Sequence, residues 1–362
     1  MKNILIVLPN DNLGGAEQYL KMVAVYFANK GIKVNVFFLK KVEGLGWNDI
    51  KSNINVDLHF TNSDSELKGV LPMTFLLLKK KSITFDLIFT SHIHLTGYVG
   101  FLIKLSLIKK KKFVGRESTS IFKRYKGRKL LVMKLMYKMG YSSLDLLICQ
   151  TDYMRKQLLE ALPWLSNKTR VKVLPNPVSF SKGLCEEKID DKYGEFIVSA
   201  GRLIQEKGFD ILIQAFSLLK QSNPTLKLVI LGEGNKREEL EGLVGELNLE
   251  KSVNLLGFVD NVYPYFKKAK ICVVASRIEG FPNVLLQMMS QNTKIVSTKC
   301  AGGIENLKGV VTAETDNVLN LKEAIEIGLT QNSTANRELF DINLKERSIV
   351  NFIKKVEFYL KN

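Results

Sequence analysis

The sequence predicts an α/β protein with two doubly wound domains, each a parallel sheet covered by helices. Three observations support this fold class. The 362 residues exceed what one ordinary hydrophobic core organises, a strand–helix–strand pattern opens the chain, and a similar pattern restarts near residue 195. The composition, 46% hydrophobic and 25% charged, is that of a globular protein and excludes disordered and fibrous chains.

The first domain begins with a buried strand, a glycine-containing loop and a helix. Residues 4–8 are uniformly apolar, as in a parallel strand covered on both faces, and a second such run spans 34–39. Between the two runs lies a helical pattern that Gly31 ends. The apolar residues at helical spacing are Leu20, Val23 and Phe27. This order predicts a parallel βαβ unit with a right-handed crossover.

The second domain is predicted from five short β-rich runs between residues 196 and 298. Helical segments at 209–219 and 236–247 separate some of these runs, which indicates a second sheet and not a continuation of the first. The stretch before them contains two prolines, two glycines and a charge cluster, which is typical of a linker. We therefore expect domains at 1–178 and 195–340, joined by a linker at 179–194.

Residues 341–362 are predicted to end in an amphipathic helix that crosses back to the first domain. Its apolar residues recur at i, i+4, i+7 and i+11 and so share one face: Ile349, Ile353, Val356 and Leu360.

The net charge of +17 belongs entirely to the first half of the chain. The first 180 residues hold 29 lysines and arginines against 12 acids, whereas the remainder holds 24 of each. This asymmetry predicts contact with a polyanionic surface, either nucleic acid or an acidic membrane leaflet, and a solvated basic face is the alternative. The cations concentrate at 109–112 and 121–138, and the second segment interleaves them with bulky apolar residues.

Several targeting and metal-binding classes are excluded. No run of about 18 uncharged apolar residues is present, and the opening apolar run is too short for a signal peptide. The four cysteines form no C-x-x-C pair, which excludes a zinc ribbon and argues against a disulfide framework. We therefore expect a reducing, cytoplasmic location.

Ligands of doubly wound sheets bind at the carboxyl ends of the strands, so a site is expected in a cleft where two such edges face each other. In the first domain, Gly14 and Gly15 precede a helix and would let backbone N–H groups approach an anion. The loop lacks the G-x-G-x-x-G spacing and the GK[ST] signature, which argues against a nicotinamide site and a P-loop. A plain tight turn is the alternative.

Two loops of the second domain carry further candidates. Arg202 and Lys207 follow a buried strand and precede Gly208, and two cations beside a helix start suit a diphosphate. In the other loop, the Glu279 carboxylate could accept sugar hydroxyls, and Gln287 lies eight residues further on, in the helix that follows. The residues between them that would hold phosphate at the helix start are Gly280, Phe281, Pro282 and Asn283.

These motifs, in this order, resemble those of retaining glycosyltransferases of family 4, which have the GT-B fold of two facing Rossmann-like domains. The resemblance is strong over residues 195–310 and looser in the first half. It rests on GRLIQEKG, LVILGEGNKREEL, LLGFVDN, SRIEGFPNVLLQ and CAGGIENL, and before them on GGAE, SHIH and CQTDYMRKQL.

The resemblance implies a role for individual residues. Arg202 and Lys207 match the pair that grips the donor diphosphate, Gly15 the glycine near the donor phosphate, and Glu279 the first acid of the E-x7-E motif. Gln287 replaces the second acid of that motif, so we expect weaker ribose binding without loss of chemistry. The chain has no D-x-D, so no metal and no cofactor are expected.

The base that would accept the acceptor's proton stays open at this point. Many members of the family carry a histidine where this chain has Arg116 and Glu117. His92, His94 and Glu117 are the candidates, and the oxygens of the leaving group are a further possibility.

The resemblance implies an enzyme that transfers a sugar, with retention, from a nucleotide-sugar to a lipid-linked glycan in surface polysaccharide or O-antigen assembly. A UDP-sugar is favoured over a GDP-sugar. The expected location is cytoplasmic, peripheral on the inner face of the plasma membrane. The alternatives are a catalytically impaired scaffold of the same fold, suggested by Gln287, and a basic nucleic-acid-binding protein, for which no RRM-like or zinc signature is present.

Overall fold

The computed structural model describes residues 1–12, 14–42, 45–117, 122, 126–178, 189 and 193–362. The chain divides into two compact units. Unit 1 comprises Met1–Pro177 together with Arg347–Asn362, and unit 2 comprises Val178–Glu346. Each unit contains one parallel sheet with helices packed on it, so the predicted α/β class with two doubly wound sheets is confirmed.

The sheet of unit 1 has seven parallel strands in the order β3-β2-β1-β4-β5-β6-β7. The strands are β1 (Asn3–Leu8), β2 (Lys33–Phe38), β3 (Val56–Phe60), β4 (Thr84–Thr90), β5 (Lys109–Arg116), β6 (Leu146–Cys149) and β7 (Arg170–Val173). The helices are α1 (Gly15–Ala28), α2 (Asn48–Lys51), α3 (Glu66–Leu78), α4 (Ile93–Lys104), α5 (Gly127–Gly140), α6 (Asp152–Ala161) and the last helix of the chain.

The uniform apolar character of β1 follows from its position inside the sheet. Ile4, Ile6 and Leu8 belong to one core cluster with α1, whereas Leu5 and Val7 belong to a second cluster with α3, α4 and α5. Successive side chains of a strand point to opposite faces, so both faces of the sheet are buried under helices.

The last helix of the chain packs into unit 1, as the sequence predicts. It spans Ile349–Lys361 and buries four residues in the same cluster as α1: Phe352, Ile353, Val356 and Leu360. The Tyr19 ring of α1 meets the Phe352 ring edge-on, with centroids 5.4 Å apart.

Unit 2 has a separate six-stranded parallel sheet in the order β10-β9-β8-β11-β12-β13. The strands are β8 (Phe196–Ala200), β9 (Lys227–Leu231), β10 (Val253–Gly257), β11 (Ile271–Val274), β12 (Ile295–Thr298) and β13 (Val310–Ala313). The helices are α7 (Phe209–Lys220), α8 (Arg237–Glu246), α9 (Tyr263–Lys268), α10 (Asn283–Gln291), α11 (Val318–Thr330) and α12 (Asn336–Glu346); the last helix, Ile349–Lys361 in unit 1, is α13. The strands and helices predicted between residues 196 and 298 are therefore present.

The structure describes only part of the predicted linker, of the basic segment and of the four cysteines. The predicted linker lies largely outside the described residues, as do 121 and 123–125 of the basic segment. Cys149, Cys272 and Cys300 are buried free thiols, and Cys185 lies outside the described residues. No helix in the described part of the chain has the length and apolar character needed to cross a bilayer.

The four lysines at 109–112 begin β5, and three of them lie beside acids. Lys110 pairs with Asp145, and Lys112 Nζ lies 3.7 Å from an oxygen of the same carboxylate. Lys111 Nζ lies 2.7 Å from Asp86. The two carboxylates therefore offset about half of the charge of this basic run within unit 1.

Glu117, which follows β5, is a buried acid that faces the core. Its side chain is 2% exposed, and its two carboxylate oxygens accept hydrogen bonds from Tyr137 at 2.8 Å and from Tyr141 at 3.0 Å. Burial raises the pKa of Glu117 to about 7, although both tyrosine hydroxyls oppose the shift. The carboxyl thus ties the end of β5 to α5 and the turn that follows it.

We predict that Glu117→Gln removes a pH dependence of stability. The folded state holds a proton on Glu117 up to about pH 7, whereas the unfolded chain releases it near 4.5, so wild-type stability falls as the pH rises between these values. The full span corresponds to about 3 kcal/mol. Urea unfolding at pH 5 and pH 8 should show this loss in the wild type and a smaller one in Glu117→Gln. Equal pH dependence in both proteins would contradict the assignment.

Candidate functional site

The candidate site of unit 2 lies where the loops after β8, β11 and β12 meet. These strands are neighbours in the sheet, so their carboxyl ends lie side by side. Lys207, from the loop after β8, forms an ion pair with Glu279, from the loop after β11, and both side chains are 19% exposed. Glu279 also accepts a hydrogen bond from Ser276 at 3.2 Å, and its backbone N–H donates to the carbonyl of Cys300 after β12 at 2.8 Å.

Two glycines lie along the loop that carries Lys207, and one of them is required there. Gly208 has φ +63°, and a Cβ there would lie 2.2 Å from the carbonyl oxygen of Ala275. A Cβ at Gly201 would lie 3.4 Å from Cδ and Cε of Lys207, so the lysine side chain runs along this glycine. Only glycine satisfies the left-handed backbone and the close approach at position 208, which explains why it ends the loop.

Arg277 joins the loop after β11 to the loop after β8 and to the start of α7. It binds Asp210 in the first turn of α7 through two nitrogens, at 2.8 and 2.6 Å, and donates to the carbonyl of Gln205 at 2.7 Å. Burial alone would raise the pKa of Asp210, but the Arg277 hydrogen bonds hold it below its usual range. A bidentate arginine pair of this kind fixes the loop geometry.

The other predicted residues of unit 2 lie before Lys207 or after Glu279 in the sequence, and they differ in solvent exposure. Arg202 is exposed. Gly280, Phe281 and Pro282 are buried, and α10 begins at Asn283, as the proline predicts. Gln287 is half-buried in the second turn of that helix.

In unit 1, the loop after β1 leads to a buried acid. Gly14 is the N-cap of α1, Gly15 is its first residue, and Glu17 lies in its first turn. A Cβ at Gly14 would lie 2.6 Å from a carboxylate oxygen of Glu17, so the glycine leaves room for this side chain. Glu17 Oε1 lies 3.0 Å from Nε2 of His92, which immediately precedes α4.

The electrostatics keep Glu17 ionised. Burial would raise its pKa, but the hydrogen bond with His92 and the charge of Arg116 lower it below its ordinary value. The other ring nitrogen of His92, Nδ1, is buried and has no hydrogen-bond partner among the described residues. With Nε2 facing a carboxylate, Nδ1 is left as the nitrogen that accepts a proton.

Arg116 supports this pair from the end of β5. It is 3% exposed, donates to Ser91 at 2.9 Å and also to Asn176, and its guanidinium lies 4.7 Å from the centroid of the Tyr19 ring. Burial lowers the pKa of Arg116 to about 10, so it remains a cation at neutral pH. A buried cation beside Glu17 compensates the acid's charge.

His94 lies beside His92, with ring centroids 5.8 Å apart. Its Nε2 is 3.7 Å from Glu66, which also accepts a hydrogen bond from Asn10 at 3.1 Å. Burial and the neighbouring His92 lower the pKa of His94 to about 4. This imidazole is therefore neutral at physiological pH.

The structure brings together part of the predicted set within each unit. Lys207 meets Glu279 in unit 2, and His92 and His94 lie beside each other in unit 1, where Glu117 points away toward the tyrosines of α5 and its following turn. Sequence reasoning missed three positioning residues, Glu17, Arg116 and Arg277. The acid of GGAE, three residues after Gly14, was the available signal for Glu17. In the described chain, no three His, Cys, Asp or Glu side chains form a group able to hold a metal ion.

Two adjacent stretches match known family descriptions. Residues 13–182 match Glycosyltransferase Family 4, and residues 186–339 match Glycosyl transferases group 1.

Individual proteins agree with these matches. An uncharacterized glycosyltransferase of Methanocaldococcus jannaschii is 32% identical over 180 residues, which is 48% of this chain and 44% of that protein. The N-acetylgalactosamine-N,N'-diacetylbacillosaminyl-diphospho-undecaprenol 4-alpha-N-acetylgalactosaminyltransferase of Campylobacter jejuni is 29% identical over 85% of this chain and 84% of its own length.

The fold agrees as well. The Anabaena protein HepE, solved in complex with UDP and glucose, superposes with a TM-score of 0.80 over the full length of both chains at 18% identity, which shows the shared GT-B fold. The chain therefore belongs to the family 4 (group 1) glycosyltransferases.

Proposed function

We propose that this glycosyltransferase moves a sugar from a nucleotide-sugar, with retention at the anomeric carbon, to a lipid-linked glycan in surface polysaccharide assembly. Unit 2 binds the donor and unit 1 the acceptor. The observation that carries the proposal is the Lys207–Glu279 pair at the carboxyl edge of the unit 2 sheet, with Arg202 on the same loop as the lysine.

The donor side follows from the charges of this edge. Lys207 and Arg202 supply the cations that a diphosphate needs, and no metal is required if they offset the charge that develops on the leaving group. Glu279 supplies a carboxylate for the sugar hydroxyls. UDP is favoured as the nucleotide, and the HepE complex with UDP is consistent with this choice.

The bond changes are those of a glycosyl transfer. The acceptor oxygen bonds to the anomeric carbon, the bond from that carbon to the β-phosphate oxygen breaks, and the nucleoside diphosphate leaves with the electron pair. His92 is the residue we propose for accepting the acceptor's proton, through the Nδ1 that is buried in the structure without ligand, while Glu17 holds the ring through Nε2 at 3.0 Å. Glu17 is a positioning residue in this scheme.

The acceptor proposal draws on relatives and on charge. The Campylobacter relative is named for an undecaprenol-linked substrate, and the basic excess of this chain lies in the unit assigned to the acceptor. We extend this to a lipid-linked acceptor at the cytoplasmic face of the inner membrane, in O-antigen or related polysaccharide synthesis.

The proposal is tested by incubating the purified chain with UDP- and GDP-sugars and an undecaprenyl-diphosphate-linked acceptor, without added metal. We expect transfer from a UDP-sugar and a product whose anomeric configuration, read by NMR, matches that of the donor. Lys207→Ala and Arg202→Ala should each weaken UDP binding by about tenfold or more, because each removes a charge-assisted contact. Lys322→Ala is the matched control, since it removes a lysine from the Lys322–Glu326 pair on α11.

Two results would count against this donor site, and a third would count against retention. One is the absence of transfer and of donor hydrolysis in folded protein, which would favour a catalytically impaired scaffold. The second is UDP affinity in Lys207→Ala equal to that of the Lys322→Ala control. The third is inversion of the anomeric configuration.

We predict that Gln287→Glu keeps or improves donor affinity. The glutamine amide accepts one neutral hydrogen bond, whereas a carboxylate would accept a stronger, charge-assisted bond from a ribose hydroxyl. The gain should be about 1 kcal/mol, measured as the dissociation constant of UDP by calorimetry. A large loss of transfer in this variant would show that position 287 does not face the ribose.

We predict that His92→Ala lowers kcat for transfer by about a hundredfold while the dissociation constant of UDP stays unchanged. Glu17→Gln should lower kcat less and alter the pH profile, because the ring loses its carboxylate partner, and Glu17→Asp should restore part of the rate. Steady-state kinetics across pH 5–9 measure both effects. Wild-type kcat in His92→Ala would remove this residue from the mechanism and leave the leaving-group oxygens as the proton acceptor.

A further inference from the structure

Unit 1 contains a cavity of about 370 Å³ beside β7, the edge strand of its sheet. The lining comes from α6, from the segment between α6 and β7, from β7 itself and from the end of α13, all of which belong to unit 1. In the described chain, none of the residues assigned above to the donor or the acceptor lines this cavity. Its volume lies at the lower end of the range for ligand pockets, roughly 300–1,000 Å³, so it suits one small molecule.

Three cations line the cavity, and among the described residues no acidic side chain does so. Arg155 comes from the first turn of α6 and lies 3.4 Å from Asp152, an exposed acid of the same turn. Arg170 and Lys172 are two residues apart in β7, so their side chains leave the same face of the strand. Both contact Tyr359 and not an acid: Arg170 Nη1 donates to its carbonyl at 2.9 Å, and Lys172 Nζ lies 5.7 Å from the centroid of its ring. The cavity therefore attracts an anion.

The last turn of α13 gives the cavity an aromatic wall, formed by Phe358 and Tyr359. Val356 and Leu360 lie on the buried face of this helix, and Phe358, two residues from each of them, projects from the other side and is 60% exposed. The rings of Phe358 and Tyr359 meet edge-on, with centroids 5.8 Å apart. A large ring exposed beside cations offers a face on which a planar ligand can stack.

The chemistry of this lining matches a phosphate joined to a planar base. A guanidinium is a planar fork that binds two phosphate oxygens at once, whereas a lysine supplies a point charge. The hydrogen bond from Arg170 to the Tyr359 carbonyl occupies one nitrogen and leaves the other N–H groups for a ligand. A neutral aromatic molecule would leave the cations uncompensated, and inorganic phosphate would leave the exposed ring uncovered. A ligand with both parts satisfies both halves of the cavity.

We propose that this cavity binds a mononucleotide, with its phosphate on Arg155, Arg170 and Lys172 and its base on Phe358. The site is separate from the donor site, which lies in unit 2, and from the acceptor side of unit 1, since β4, β5 and β6 lie between β7 and β1 in the sheet. The proposal therefore does not rest on the proposed function. Stacking tolerates different bases, so the cavity selects a base joined to a phosphate and not one particular base.

Calorimetry of the full chain with AMP, adenosine and inorganic phosphate tests the site. We expect AMP to bind, and adenosine and phosphate each to bind about tenfold more weakly or worse, because each lacks one half of the ligand. Arg170→Ala/Lys172→Ala should weaken AMP binding by about tenfold or more, and Phe358→Ala by about fivefold or more. Lys168→Ala/Lys354→Ala is the matched control, because it removes two exposed lysines of unit 1 that do not line the cavity.

A wild-type chain that does not bind AMP would overturn the proposal, and so would equal AMP affinity in Arg170→Ala/Lys172→Ala and its control. Phosphate or adenosine bound as tightly as AMP would reduce the cavity to an anion site or an aromatic site, and either result overturns it. AMP binding that Lys207→Ala abolishes and Arg170→Ala/Lys172→Ala leaves intact would place AMP in the donor site and also overturn it. Melting temperatures without ligand, equal to that of the wild type, show that the variants are folded.

Discussion

The candidate donor site depends on the ion pair between Lys207 and Glu279. Two opposite charges that are each 19% exposed stabilise one another, so the site is held in shape before any ligand arrives. The same pairing means that an anionic ligand competes with Glu279 for the lysine. In the proposed donor complex, the diphosphate would carry more charge than one carboxylate, and the attached sugar would bring hydroxyls for the released Glu279. The Lys207–Glu279 contact would then both hold the empty site in shape and free Glu279 when an anion binds the lysine.

The sheets explain why this contact exists at all. Lys207 and Glu279 are 72 residues apart, yet β8 and β11 are adjacent parallel strands, so the loops that follow them begin side by side. Gly208 lets the first loop turn against the Ala275 carbonyl, and Arg277 fastens the second loop to Asp210. The edge of the sheet thus sets where the two loops begin, and Gly208 and Arg277 fix the conformation of these loops.

The fold and the positions of the loops after β8 and β11 could be predicted from the sequence because their signals are local. A strand buried on both faces is uniformly apolar, and a glycine or proline at a loop end shows where a helix begins, as at Gly208 and Pro282. Arg116 carries no such signal, since its partner Asn176 lies 60 residues away in the chain, and the acid of GGAE marks Glu17 without showing that its partner is His92. Glu117 illustrates the same limit, because only the structure shows that both of its oxygens face tyrosines.

The net charge of a segment does not by itself identify a binding surface. The lysines at 109–112 are the longest basic run of the sequence, yet Asp145 and Asp86 lie beside three of them. The sequence alone does not distinguish the exposed from the buried apolar residues of α3, because Leu71 and Met73 are both large and apolar. What distinguishes them is which side of the helix the sheet covers. Only the structure shows which cations lie beside acids and which apolar side chains lack cover: on α3, Lys68 lies 3.5 Å from Asp64, whereas Leu71 and Phe75 are exposed.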